Sequence, residues 1–315
     1  MVLHILTMAH VYGHNDFFKN NRMFKEYTNA ENVVEMFKRH SDIIKGFIDD
    51  INIGYEKVER VLDAVHGVKF QISLDNEEDI FEYLIKESNL LEYEKTILRI
   101  VKKESKYFMP QIETKIMNEG WASFWHYKIL KSLNLDFPMH FEFLKKHNEV
   151  VAPLIGGLNP YYIGFKIFMD IEKRFGIEKA FEVRALERDS SFLRKYLTKE
   201  LINELKLYKF GKKSFEFIVE EVGDEEGYKE IIEELSNSVG IANIPFISIE
   251  GFSKEEDCLI LNHIFDGREL DLIYAKETLK NISNLTKKNI RMITKNKELQ
   301  EINIVCNEES KIFID

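Results

Sequence analysis

NAENVVEMFKRHSDIIKGFIDDINIGYEKVERVLDAVHGV, residues 29 to 68, decides the fold class, because its apolar residues return every three or four positions. That spacing gathers them on one face of a helix and leaves the charged residues to water. YEKTILRIVKKESKYFM (93 to 109) repeats the pattern, so helices are expected to dominate the first two-thirds of the chain. GGLNPYYIGFKIFMDIEKRFG (156 to 176) shows a start and a stop: Asn159 can cap, Pro160 suits the first helical position, and Gly176 can terminate. Pro138, Pro153 and Pro160 are expected in loops between helices.

Near residue 240 the texture changes. IPFISIE (244 to 250), DCLILNHIF (257 to 265), NIRMIT (289 to 294) and EINIVCN (301 to 307) are short β-rich runs, with one helical pattern, YAKETLKNISNLTKK (274 to 288), among them. DEEGYKEIIEELSNSVG (224 to 240) is expected to give this module its other helix. The expected organisation is therefore a mainly α N-terminal domain, residues 1 to 212, and a small α+β C-terminal domain, residues 213 to 315.

The chain has 315 residues, 44% hydrophobic and 31% charged, which is enough to bury a sizeable core. Its net charge of -10 is spread over interleaved acidic and basic residues, so nucleic acid is excluded as the default partner. Cys258 and Cys306 form no Cys-x-x-Cys pair, and both are expected to be reduced and buried. The apolar opening lacks a cationic start and a cleavage site and is too short to span a bilayer, so a cytoplasmic location is expected.

HVYGHNDFFKNN (10 to 21) carries the chemistry. His10 and His14 lie four apart, about one helical turn, and can grip one metal ion. In His-Glu-x-x-His sites the residue after the first histidine is the general base; here it is Val11. NEGWASFWHYKIL (118 to 130) resembles the NEGFA-type segment from which gluzincin aminopeptidases supply a third zinc ligand, which makes Glu119 a candidate. A His/His/Glu set leaves a fourth position open, as catalytic zinc requires. His126, seven residues on, shares a face with Glu119 but lies about 10 Å along the axis, nearer substrate or supporting groups than the ion.

Structural readings stand beside these. His10, His14 and Glu119 can instead close a polar core network, and Phe17, Phe18, Trp121, Phe124 and Trp125 read first as packing. His66 and His147 are lone helical histidines kept as reserve ligands. Asn15, Asn20 and Asn21 suit either site hydrogen bonds or caps. GGLNPYY (156 to 162) lacks phosphate-loop spacing and is expected to approach the site, with Tyr161 or Tyr162 as a donor. EEVGDEEGYKE (220 to 230) lacks calcium-loop spacing and reads as a solvated helix start.

Together, MAHVYGHNDFFKNN, MNEGWASFWHYKIL, FEFLKKHNEVVAP, GGLNPYYIGFKIFMDIEKRFG and DEEGYKEII resemble, in that order, the SpoVR family, stage V sporulation protein R. The resemblance implies a cytoplasmic protein linked to spore cortex assembly in spore formers. In other cells it implies a stress role, beside a serine protein kinase and a von Willebrand A-like protein. Family members usually carry a long segment ahead of the first motif, where this chain has nine residues, so any wall or ligand from that segment is expected to be missing.

The leading expectation is a zincin-like helical core with His10, His14 and Glu119 on a divalent metal, zinc first, performing metal-assisted hydrolysis with His126 or His147 as proton acceptor. The rivals are a non-catalytic adaptor that has lost its base and a non-haem iron protein, since His/His/carboxylate sets also bind iron.

Overall fold

The computed structural model describes residues 1–28, 30–72, 79–87, 89–154, 158–207, 210–213, 216–219, 225–307, 309 and 311–314. In chain order its helices are α1 (Val2–Asn20), α2 (Arg22–Tyr27), α3 (Val33–Asp49), α4 (Tyr55–Val68), α5 (Ile80–Glu87), α6 (Glu92–Glu113), α7 (Lys115–Ser132), α8 (Phe137–Val150), α9 (Pro160–Phe175), α10 (Ile177–Leu186), α11 (Asp189–Tyr196), α12 (Lys199–Leu205), α13 (Glu225–Asn237) and α14 (Leu272–Thr286). The strands are β1 (Phe210–Lys213), β2 (Glu216–Val219), β3 (Ile247–Ser253), β4 (Cys258–His263), β5 (Asn289–Lys295), β6 (Glu301–Cys306) and β7 (Ile312–Ile314). A helical N-terminal part and an α+β C-terminal part are thus both present.

Packing divides the chain into two units, Met1–Thr28 with Met109–Asn243 and Asn29–Phe108 with Ile244–Asp315. This cut differs from the one expected near residue 213. α13 joins the first unit, where Ile231 enters the core and Arg194 of α11 pairs with Glu233. The helices of residues 29 to 108 join the C-terminal strands. The reason is physical: an apolar helix face must be covered by something, and periodicity marks the face without naming its cover.

In the second unit the sheet order is β3-β4-β5-β6-β7, with β4 and β5 parallel and the other pairs antiparallel. The parallel pair is joined through α14, the crossover such a pair requires. Val58, Val61, Val65 and Val68 of α4, spaced three and four apart, share one core with Leu98 of α6, Leu279 of α14 and the sheet residues Leu261, Ile290 and Ile304. Both cysteines are free and buried.

The first unit is built on α1, α7 and α9. Trp121 and Phe124 of α7 are fully buried with Phe168 of α9 and Phe192 of α11, so these aromatics are packing residues. The helices come unusually close because glycines face each other: Gly120 lies on the Gly164 backbone, and a Cβ at Gly13 would stand 2.7 Å from the Ala122 Cα. Asn159 caps α9 at the Tyr161 N–H, Pro160 is its first residue and Gly176 ends it with φ +85°, as the sequence predicts. Pro138 lies in the first turn of α8 rather than in a loop, behind the Asp136 cap, where a missing N–H costs nothing. Gly156 and Gly157 of the loop before α9, and residues 220 to 224 of the acidic run, lie outside the described residues.

Candidate metal centre

His10 and His14 project from α1 beside its buried face of Leu6, Ala9, Gly13 and Phe17. Glu119 comes from α7. The close approach of the two helices at Gly13 and Ala122 brings the three side chains to one point. His10 Nε2 and His14 Nε2 are 3.1 Å apart, and Glu119 Oε2 lies 3.8 Å from the first and 3.4 Å from the second. Three atoms at these separations lie on a circle of radius about 2.0 Å, the ordinary length of a zinc–nitrogen or zinc–carboxylate bond. These residues form the one group among the described residues whose donor atoms converge tightly enough to hold an ion.

The donor set fits a cation. Glu119 Oε2 is buried and has no hydrogen-bond partner among the described residues, a costly arrangement for a carboxylate oxygen unless a cation faces it. Burial pushes the Glu119 carboxyl up, but His10, His14 and the Tyr161 hydroxyl together hold it below the ordinary carboxylate range. Burial pushes His14 down against the opposing hydrogen bond to Asn118. His14 Nδ1 donates to Asn118 Oδ1 at 2.8 Å, which turns the His14 Nε2 lone pair toward His10 and Glu119.

The remaining candidates are distributed around this centre. His126 Nδ1 stands 3.0 Å from His10 Nδ1, on the side of the ring away from Glu119, and His126 Nε2 stands 2.7 Å from His147 Nδ1 of α8. Both are buried. Burial with its two histidine neighbours pushes His126 down to about 3, and burial with Lys166 pushes His147 down to about 4. The Tyr161 ring stacks on His10 at 6.1 Å between centroids, and burial with the Glu119 charge raises its hydroxyl pKa. Val11, at the position of the zincin base, is 48% exposed. His66 belongs to the second unit, lining a cavity of about 360 Å³ with His40 and Glu104. Asn21 caps α2 and donates to the Arg184 and Glu187 carbonyls, so it is structural.

Sequence reasoning missed two supports. Asn118 adjoins Glu119 in the NEGWA segment, and its neighbour's role was the available signal. Asp189 of α11 accepts from the Ile116 and Met117 N–H groups at 2.8 and 2.9 Å, capping the helix that carries Glu119 from a distance no local pattern reveals. On the outer side, Asp16 accepts from the Trp121 indole at 2.9 Å and pairs with Arg184, tying α1 to α7 just beyond His14.

Comparison with known proteins adds lineage to this geometry. The family model described as "SpoVR like protein" matches residues 1–76 and 69–244. A relative from Escherichia coli (strain K12), the "Uncharacterized protein YcgB", is 28% identical over 373 residues, covering 90% of this chain and 72% of that protein. No solved structure matches. The family model spans all the elements that build the centre, α1, α7, α8 and α9, and more than half of the chain, so this chain belongs to the SpoVR family.

Proposed function

We propose that the protein is a divalent-metal enzyme of the hydrolase class, with His10, His14 and Glu119 as ligands and zinc as the first candidate. The convergence of the three donor atoms, with the Glu119 oxygen otherwise unpartnered, carries this reading. A divalent ion held there would act as a Lewis acid and lower the pKa of a water at its fourth position. The chain's own residues then have distinct tasks: Asn118 orients His14, His126 orients His10, and Tyr161 holds the free side of Glu119. The donor set is that of a zincin, and peptide or amide bonds are the substrate class we favour.

One observation favours a second reading, a non-catalytic adaptor with a metal-stabilised core. Val11 stands where the zincin base would, and both ring nitrogens of His126 are engaged with other histidines, so neither group is free to accept a proton. Family membership supports the cellular setting we propose: the cytoplasm, spore cortex formation or stress response, and a serine protein kinase with a von Willebrand A-like protein as partners. No helix among the described residues is long and apolar enough to cross a membrane.

Metal analysis of purified protein tests the site. Wild type should carry about one equivalent of zinc, and His10→Ala and Glu119→Ala should each lose it; wild type that binds no metal after zinc loading sinks the reading. Iron with an optical or spin signal in place of zinc would move the protein to the oxygen-using class that shares this donor set. Tyr161→Phe separates enzyme from adaptor, because it retains the ligands: peptidase or amidase turnover should fall in an enzyme, while capture of the kinase should be unchanged in an adaptor.

A further inference from the structure

His14, His10, His126 and His147 form one unbroken chain of ring contacts through the first unit, with neighbouring nitrogens 3.1, 3.0 and 2.7 Å apart. A neutral imidazole carries one N–H and one lone pair, so each contact needs a donor on one side and an acceptor on the other. Asn118 Oδ1 fixes one end, since His14 must donate from Nδ1 and present its Nε2 lone pair. His126 and His147 are buried, and a ring removed from water to that depth is held neutral.

Only two proton arrangements then satisfy the whole chain. In the first, His10 donates from Nε2 to His14, accepts at Nδ1 from His126, and His126 accepts at Nε2 from His147. In the second, the Nε2 lone pairs of His10 and His14 both face an ion, so His10 must donate from Nδ1 to His126 and His126 from Nε2 to His147.

We propose that filling the three-donor site reverses this chain, so that His126 and His147 act as positioning residues whose protons change nitrogen when the ion binds. The inference rests on the metal reading of His10, His14 and Glu119. The protons balance. One leaves His10 Nε2 to solvent, His126 passes its Nδ1 proton to His10, His147 passes its Nδ1 proton to His126 Nε2, and His147 gains one from solvent at Nε2. No ring changes charge.

The reversal takes occupancy from the partly exposed centre to His147, which is 3% exposed among Tyr127, Phe143 and Phe165. It also removes His126 and His147 from duty as proton acceptors, because a proton could not pass through the His10 ring while its Nε2 served as a ligand. Their effect is on how firmly His10 is held. Outer partners of this kind change metal affinity about 10- to 100-fold.

The test is histidine-labelled nitrogen-15 NMR on the full chain, first in chelator and then with one equivalent of zinc, beside zinc titrations against a chromophoric competitor. The ring-nitrogen shifts of His126 and His147 should show the protonated nitrogen moving from Nδ1 to Nε2 at both residues. His147→Phe should keep one-to-one stoichiometry while weakening zinc binding about 10-fold or more. If zinc binds the wild type but the two rings keep their protonated nitrogens, the relay is wrong and the metal centre stands. If wild type takes up no zinc, the centre itself fails and the relay with it. The wild-type spectra decide the matter even where His147→Phe does not fold.

Discussion

Glu119 is held ionised by His10, His14 and Tyr161 while its buried Oε2 has no hydrogen-bond partner among the described residues. These effects oppose each other, so in chelator Glu119→Gln should leave the melting temperature nearly unchanged. With zinc at ~1,000 times its Kd, wild type should gain about 4 kcal/mol and the variant should gain none. A variant that melts lower in chelator would show that Glu119 is a structural partner of the histidines instead. The histidines behind it predict a pH dependence. Burial pushes His126 down to about 3 and His147 down to about 4 in the folded chain, against about 6.5 for an unperturbed histidine. Below pH 6.5 the unfolded chain takes up protons that the folded chain refuses, so the stability present above that pH is lost as the pH falls toward 4 and then 3. The limiting slope is about 1.4 kcal/mol per pH unit for each histidine. Urea midpoints in chelator should therefore be lower at pH 5 than at pH 7.5, and equal midpoints would contradict the neutral-ring assignment. That His10, His14 and Glu119 converge was legible in the sequence, because helical spacing and a known type of segment point at them. The engagement of both His126 nitrogens was not legible there, because side-chain partners across helices leave no periodic trace.

At the scale of elements, the centre depends on how closely α1, α7 and α9 pack. Gly120 faces the Gly164 backbone, so Gly120→Ala forces two main chains apart and should destabilise the first unit by about 1–3 kcal/mol or more. Because α7 carries Glu119, the same variant should also weaken zinc binding, while Gly46→Ala, where nothing lies near, should do neither. Thermal melts with and without zinc check both arms. The cap on α7 is equally exacting. Asp189→Ala strips the Ile116 and Met117 N–H groups of their acceptor in a buried place, at a cost of about 2–4 kcal/mol; a change under about 0.5 kcal/mol in chemical denaturation would refute the capping role. Helices such as α9 could be read end to end from Asn159, Pro160 and Gly176, since caps and breakers act locally. The α7 start could not, since Thr114 uses its hydroxyl on the Pro110 carbonyl and leaves capping to another helix.

At the scale of the whole molecule, the surprise is connectivity. The strand runs after residue 240 could be read from their alternation, and so could the amphipathic stretch 29 to 68, but nothing in either announces that one covers the other. The expected cut near residue 213 followed composition, while the actual cuts follow which apolar face meets which. A chain truncated after Asn243 should therefore lose the fold of residues 29 to 108, exposing Val58, Val61, Val65 and Val68 to the dye ANS, while the near-ultraviolet signature of Trp121 and Trp125 persists. A truncated chain with well-dispersed signals from Val58 to Val68 would show that those helices do not need the sheet. The same connectivity has a consequence for synthesis. The ribosome makes residues 29 to 108 and then every residue from 109 to 243 before the first strand of their sheet is translated. At about 5–20 residues per second, the valine face of α4 waits on the order of ten seconds for its cover. Through that interval the uncovered face is open to aggregation.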